Sequence, residues 1–256
     1  MNSTDNFLLQ RSLDDVRRRI AEACARVGRE PSEVRLLPVS KTVATARLRE
    51  AFVAGLTELG ENKIQEACSK AEQLADLPLS WSIIGHLQTN KAKYAARIAR
   101  EFQALDSLRL AAALERRLQI ERRCLDVLVQ VNTSGEASKF GLAPDSVAAF
   151  MQELPAFSAL RVRGLMTLAV FEPDTSRVRA CFRALRTLRD QLRDTAPPSV
   201  ALDELSMGMS GDFEIAIEEG ATVVRVGQAL FGPRPLPDSH YWPGLGNSTT
   251  TPRQPG

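Results

Sequence analysis

Residues that commonly build metal sites and disulfide bonds are scarce in this chain. Its 256 residues include two histidines, His86 and His240, and four cysteines, no two of which form a Cys-x-x-Cys pair. Two histidines make a histidine-rich metal site implausible, and the wide cysteine spacing is typical of buried, reduced thiols rather than a disulfide framework. Composition therefore predicts neither a metal centre nor disulfide bonds.

Long apolar runs and a strong charge of one sign are also missing. No apolar run reaches the ~18 residues that a membrane span needs, and residues 1–11 lack the basic region and apolar core of a secretory signal. The 33 basic residues nearly balance 31 acidic ones, for a formal charge of +2, so a dedicated nucleic-acid surface is not indicated. We expect a cytoplasmic protein that contacts neither membranes nor nucleic acids.

Short strands and amphipathic helices alternate along most of the chain. A helix predicted at 12–27 precedes the first strand and is ended by Gly28. The strands are predicted at 36–41, 57–60, 81–85, 102–105, 125–131, 162–165, 203–207 and 222–227. The intervening helices are predicted at 45–54, 64–74, 91–100, 108–121, 144–154, 175–193 and 212–219.

This alternation predicts an α/β protein with an all-parallel sheet. Eight is the number of strands that closes a (β/α)8 TIM barrel, and about 250 residues is a usual length for one. The alternative, a doubly wound open sheet, is less favoured because no Gly-x-Gly-x-x-Gly follows the first strand. We predict one barrel domain over 5–233 with an extra N-terminal helix, and a loose, flexible C-terminal tail over 234–256. The polar outer faces of the helices predict a monomer.

Polar residues follow nearly every predicted strand, where the functional sites of TIM barrels gather. They are Lys41, Asn62, His86, Asp106, Ser107, Asn132, Met166 with Thr167, residues 206–210, Arg225 and Gly227. Lys41 is the candidate chemical centre, because a lysine where an apolar strand ends can be desolvated and attack a carbonyl to form a Schiff base. The ordinary alternative is a solvated lysine that begins a loop.

The seventh loop has the composition of a phosphate site. Residues 206–211 are small or apolar and lead into the helix predicted near Asp212, where backbone N–H groups bind anions. Gly227 brings a second set of backbone donors after the last strand. The alternative is a glycine-rich turn in which Ser210 is an ordinary N-cap.

Arg225 lies inside the eighth strand, on the same face as Gly227. A buried arginine needs a partner, which is either a structural carboxylate or a ligand atom. Opposite a pyridine ring, its guanidinium would hydrogen-bond the ring nitrogen, leave that nitrogen unprotonated and weaken the ring as an electron sink.

Seven motifs in this order resemble one family. They are Val39-Ser40-Lys41-Thr42, residues 60–66 (GENKIQE), residues 84–91 (IGHLQTNK), Lys139-Phe140-Gly141, residues 164–167 (GLMT), residues 206–210 (SMGMS) and Arg225-Val226-Gly227. The chain resembles the pyridoxal phosphate homeostasis proteins, whose barrel is shared with the N-terminal domain of bacterial alanine racemases. The resemblance covers roughly 13–233.

The resemblance implies the cofactor and its contacts. Lys41 would form the internal aldimine with pyridoxal 5′-phosphate, Ser210 and Gly227 would hold its phosphate, and Arg225 would face its pyridine nitrogen. The other residues that would line the ring and the mouth of the barrel are Asn62, His86, Asn132 and Met166. For His86 a hydrogen-bonded loop residue, and for Met166 plain core packing, stay open as alternatives.

The implied function is pyridoxal phosphate binding in intracellular vitamin B6 homeostasis, with little or no turnover and with PLP-dependent apoenzymes as recipients. One alternative is an amino-acid racemase or decarboxylase, which needs acid–base groups on both faces of a carbanion. Tyr94, on a predicted outer helix, and Tyr241, in the tail, are poor candidates for the group opposite Lys41. A cofactor-free Schiff-base aldolase is the other alternative.

Overall fold

A computed structural model describes residues 3–136, 139–172 and 174–233, with the side chains of residues 3–6 left out. The predicted tail over 234–256 lies outside these residues. The chain opens with a long helix, α1, over Ser3–Arg26. This helix begins well before residue 12, where the sequence pattern placed its start.

Eight strands follow, one for each predicted strand, and every pairing between them is parallel. Their bounds are β1 Arg35–Pro38, β2 Glu58–Glu61, β3 Ser80–Ile83, β4 Ala99–Leu105, β5 Leu125–Gln130, β6 Leu160–Met166, β7 Glu204–Ser206 and β8 Val223–Val226. Parallel strands need long crossover connections, and the helices between the strands supply them.

The helices cover the outside of the sheet. After α1 they are α2 Thr45–Val53, α3 Ile64–Gln73, α4 Ala92–Ile98, α5 Leu108–Glu121, α6 Val147–Glu153, α7 Thr175–Leu192, α8 Phe213–Glu218 and α9 Gln228–Phe231. The helix predicted at 91–100 is too long, because Ala99 and Arg100 already belong to β4 and Ala99 pairs with Trp81. The four-residue helix α9 was not predicted. Among the described residues, no helix combines the length and apolar character of a membrane span.

The sheet closes between its first and second strands. Hydrogen bonding runs in the order β1, β8, β7, β6, β5, β4, β3, β2. Just past the end of β1, Val39 forms a parallel bridge with Gly60, and the Ser40 N–H donates to the Gly60 carbonyl at 2.9 Å. These contacts join the two ends of the sheet, so the predicted TIM barrel is confirmed.

The amino-terminal end of the barrel is held by a partly buried ionic cluster. Arg35 of β1 donates to Glu58 at 3.0 Å, Glu101 at 2.6 Å and Glu204 at 3.2 Å. These acids come from β2, β4 and β7, and Glu101 is 5% exposed. One guanidinium thus links four strands at the end of the barrel opposite Lys41.

We expect Gly164→Ala to destabilise the protein by about 3 kcal/mol, because a methyl group there is overpacked. A Cβ at Gly164 of β6 would overlap the backbone of Glu204 in the paired strand β7. Gly211→Ala is the matched control, since nothing lies within 4 Å of a Cβ built there. Chemical denaturation followed by circular dichroism measures both, and equal stabilities would contradict the expectation.

Candidate functional site

Lys41 lies where the barrel closes. It follows the Ser40–Gly60 hydrogen bond at the carboxyl end of β1, and it is half-buried. The next residue, Thr42, has φ +64°, in the left-handed region that a β-branched residue rarely adopts. The chain therefore turns sharply directly after the lysine, and other groups must hold it in this conformation.

Those groups come from β2 and α3. Lys70, on α3, donates from Nζ to the Ser40 carbonyl at 2.6 Å, to Glu61 Oε1 at 2.7 Å and to Glu66 Oε1 at 2.6 Å. Glu66 accepts the Thr42 N–H at 2.7 Å. The peptide groups on both sides of Lys41 are thereby bonded to side chains of a single helix.

Glu61 is the buried acid among the side chains that bond to Lys70. It is 0% exposed, and its Oε1 also accepts from the Ser40 hydroxyl at 2.6 Å. Its Oε2 has no hydrogen-bond partner among the described residues. Burial raises the pKa of Glu61 above its ordinary value of 4.5, although Lys70 and Ser40 act in the opposite direction.

Arg225 presents a buried positive charge at the same end of the barrel. It is 2% exposed, and its Nη1 donates to Ser206 Oγ at 2.6 Å and its Nη2 to the Thr167 carbonyl at 2.7 Å. Burial lowers the pKa of Arg225 to about 10, against the attraction of Asp212 and Glu101. The group stays protonated at neutral pH. Both of these bonded partners are neutral. Of the two partners that the sequence allowed for Arg225, a structural carboxylate or a ligand atom, neither bond supplies the carboxylate.

Ser210 and Gly227 meet at the start of α9. Ser210 Oγ accepts the N–H of Gly227 at 3.2 Å and that of Ala229 at 3.3 Å. Since a hydroxyl has two lone pairs, these bonds leave Ser210 its hydrogen to donate. A Cβ on Gly227 would lie 3.1 Å from the Val39 carbonyl oxygen. Glycine therefore lets the backbone after β8 approach the backbone after β1 without a shift. The hydroxyl hydrogen of Ser210 is the donor that this arrangement offers to an anion.

The loop between β7 and α8 differs from its predicted form in the residue that precedes the helix and in the partners of its N–H groups. The residue before α8 is Asp212, whose carboxylate accepts the Met209 N–H, so Ser210 is not the N-cap of this helix. Burial raises the pKa of Asp212. The N–H groups of Asp212 and Phe213 both donate to the Met209 carbonyl. The backbone donors beside Ser210 therefore come from the start of α9.

His86 stacks on Phe140 across the mouth of the barrel. The ring centroids are 3.9 Å apart and the planes differ by 8°. His86 Nδ1 lies 3.8 Å from Asp106 Oδ2, and burial raises the pKa of Asp106 while His86 opposes that change. The stack connects the end of β3 to the loop after β5, which spacing in the sequence did not predict.

Three other predicted site residues hold their surroundings together. Asn132 donates from Nδ2 to the carbonyls of Glu136 at 2.9 Å and Lys139 at 3.3 Å, which closes its own loop. Met166 is 0% exposed and belongs to the main apolar core, as its packing alternative anticipated. The Asn62 backbone lies so close to Gly85 that a Cβ there would overlap it. Contact of these residues with a ligand stays a prediction.

The chain matches one protein family, described as "Alanine racemase, N-terminal domain", over residues 12–235. Curated relatives resemble it over nearly their whole length. A pyridoxal phosphate homeostasis protein of Aquifex aeolicus is 43% identical over 222 residues, which are 87% of this chain and 96% of the relative. One of Pseudomonas aeruginosa is 46% identical over 216 residues, 84% of this chain and 91% of the relative.

The chain belongs to the pyridoxal phosphate homeostasis protein family.

Several solved structures share the barrel described above. PipY of Synechococcus elongatus PCC7942, with PLP bound, superposes with a TM-score of 0.74 at 37% identity and covers 83% of this chain and 100% of its own. A protein of unknown function from Bifidobacterium adolescentis reaches 0.84 at 34% identity, over 90% of this chain and 97% of its own. Alanine racemase of Clostridium difficile 630, at 14% identity and a TM-score of 0.70, covers 90% of this chain and 58% of its own and shares the fold.

Sequence reasoning missed the side chains that support the family's motifs. Glu61 and Glu66 lie inside the quoted GENKIQE segment, yet neither was assigned a role. Glu66 and Lys70 are four residues apart on α3, a spacing that places them on one helix face. That pair was the available signal, but no pattern shows that it reaches the backbone beside Lys41.

We expect Glu61→Gln to flatten the dependence of stability on pH above about pH 4.5, where Glu61 of the unfolded chain loses its proton before the folded one does. Because the folded-state pKa of Glu61 lies above its unfolded value of 4.5, the folded state binds more protons in this window. Its contribution to stability is therefore lost as pH rises, and an amide removes that contribution. The midpoint of thermal unfolding, measured at several pH values, reports the slope.

Asp76→Asn is the control for this slope. Its hydrogen bond with Arg49 lowers the pKa of Asp76 below 3.8, so the carboxylate titrates beneath the window. The slope should match that of the parent protein. A Glu61→Gln slope as steep as the parent's would show that Glu61 is not the titrating group.

Proposed function

We propose that this chain binds pyridoxal 5′-phosphate at the mouth of its barrel and serves intracellular vitamin B6 homeostasis, with little or no turnover. The observation that carries the proposal is the buried guanidinium of Arg225, which is bonded to two neutral groups at the end of the barrel where Lys41 lies. The names of the curated relatives and the PLP-bound PipY structure support it.

The residues at the mouth fit the three functional parts of this cofactor. Pyridoxal phosphate supplies an aldehyde that condenses reversibly with an amine, an aromatic ring with a nitrogen acceptor, and a phosphate. Lys41 provides the amine, and Arg225 provides a charged donor for the ring nitrogen. The Ser210 hydroxyl, whose oxygen is held by the N–H groups of Gly227 and Ala229, provides a neutral donor for the phosphate.

Two features support a carrier rather than a racemase. Arg225 keeps its proton at neutral pH, since its pKa is about 10, and a donor of this kind leaves the ring nitrogen unprotonated. Tyr94, the one tyrosine among the described residues, lies on the outer helix α4 with Lys91 and Lys93 near its ring, at 5.8 and 4.9 Å. Tyr241 lies outside the described residues.

The proposal includes a cytoplasmic monomer that supplies the cofactor to PLP-dependent apoenzymes. It is supported by the near balance of charge in the sequence and by the polar outer faces of the helices.

Reductive trapping tests the function directly. Incubation with pyridoxal phosphate followed by borohydride should place one cofactor mass on the peptide that carries Lys41, as read by mass spectrometry. Lys41→Ala should lose this adduct and the visible absorption band of the bound cofactor. Lys93→Ala, which alters an exposed lysine on the outer helix α4, is the control and should keep both.

The same preparations separate the alternatives. An unmodified Lys41 after trapping with excess cofactor would contradict the proposal. Rapid inversion or decarboxylation of alanine or serine by the loaded protein would favour the racemase or decarboxylase alternative. A colourless protein that consumes an aldol substrate would favour the aldolase.

Ser210→Ala should weaken pyridoxal phosphate binding about tenfold and pyridoxal binding much less, because only the first ligand carries the phosphate. The N–H groups of Gly227 and Ala229 hold the hydroxyl oxygen in place, so Ser210→Ala removes one positioned donor. Dissociation constants from absorbance titrations measure the difference. Equal weakening of both ligands would place the phosphate elsewhere.

A further inference from the structure

We propose that Gln103 and Ser206 are positioning residues that aim Arg225 at the ring of the bound cofactor. The inference rests on the function proposed above and extends it into the barrel interior. Neither residue lies in the loops at the mouth, and each acts through Arg225 rather than on the cofactor itself.

The path begins at Arg225 and crosses the barrel. Arg225 Nη1 donates to Ser206 Oγ at 2.6 Å, and the Ser206 hydroxyl donates to Gln103 Oε1 at 2.6 Å. Ser206 ends β7, whereas Gln103 lies in β4, and these strands are not neighbours in the sheet. A bond between them must therefore run through the barrel interior.

The path continues to the ionic cluster at the opposite end. Gln103 Nε2 donates to Glu101 Oε2 at 2.7 Å, and Glu101 Oε1 accepts from Arg35 Nη2 at 2.6 Å. Ser82 Oγ also donates to Glu101 Oε2, at 2.8 Å. The carboxylate is thus held from three sides, so it is a fixed starting point for the chain of bonds.

The carboxylate sets the direction of every bond that follows. A carboxylate accepts hydrogen bonds, so the Gln103 amide turns its NH2 toward Glu101 and its oxygen toward Ser206. The single hydroxyl hydrogen of Ser206 is then used on Gln103, and its oxygen can only accept from Arg225. The orientation of the Arg225 guanidinium is therefore determined by an acid on the far side of the barrel.

Burial of these side chains stabilises the orientation of the Arg225 guanidinium. Gln103 and Ser206 are 0% exposed and Arg225 is 2% exposed, so water does not compete for these bonds. Buried polar groups destabilise a core unless they are paired, and an apolar core would be the simpler solution. The second guanidinium bond, to the Thr167 carbonyl at 2.7 Å, prevents rotation about the first. Two bonded positions fix the plane of the group that faces the ring.

Two substitutions break the chain without touching Arg225. Gln103→Met keeps the side-chain volume and removes the amide, and Ser206→Ala removes one oxygen. Each should weaken pyridoxal phosphate binding about tenfold. Arg225→Lys is measured as the reference variant. Each substitution should shift the visible absorption band of the Lys41-bound cofactor, and the midpoint of its pH titration, in the same direction as Arg225→Lys does. The double variant should show no larger shift than either single variant, because both act through one group.

Gln152→Met is the control for the chemical change. Gln152 is exposed on the outer helix α6, and its Nε2 donates to the Thr195 carbonyl at 2.9 Å. It makes the same glutamine-to-methionine change away from Arg225 and from the mouth of the barrel. The band and its pH midpoint should stay at the parent values in this variant.

Failure of this inference can be distinguished from failure of the proposed function. Parent-like affinity, band and pH midpoint in both Gln103→Met and Ser206→Ala would overturn the inference and leave the proposed function intact. The same spectral shift in Gln152→Met would overturn it as well. A parent protein without a reducible adduct at Lys41 would overturn the proposed function and this inference with it. Ser206→Ala is the smaller change and carries the test if Gln103→Met does not fold.

Discussion

The closing hydrogen bond of the barrel, from the Ser40 N–H to the Gly60 carbonyl, is the contact on which the other features depend. The hydrogen-bonded order of the sheet leaves β1 and β2 at its two ends, and this bond joins them. Because it lies directly before Lys41, closing the sheet also places the amine. Side chains of α3 then hold the peptide groups on either side, so the amine belongs to the rigid scaffold rather than to a mobile loop.

The interior of this barrel departs from the usual packing of branched apolar side chains. Arg35, Glu101, Gln103 and Arg225 are linked across it, with Ser206 between the last two. Such a network costs desolvation energy and is stabilised only when every member is bonded. As a result, the orientation of the Arg225 guanidinium is fixed before any ligand binds. Little reorganisation of this group is then needed on binding.

Sequence patterns predicted the elements better than their ends. All eight strands and the position of Lys41 were confirmed, because buried strands and turn residues are local signals. The helix predicted at 91–100 was too long, since alanines satisfy both a helix and the start of β4, and only pairing with β3 decides between them. The alternative that made Ser210 an ordinary N-cap was wrong, because its hydroxyl accepts from the start of α9, a helix too short to show a period.

The sequence by itself determined the parallel barrel and the family, since strand count, strand ends and motif order are all readable along the chain. It also placed Lys41 at the end of the first strand and Arg225 inside the eighth. Only the tertiary structure decided that Lys70 bonds beside Lys41 and that Gln103 bonds to Ser206, 103 residues away. The physical reason is that these contacts cross between elements that no local period relates, and their geometry exists only after the sheet has closed.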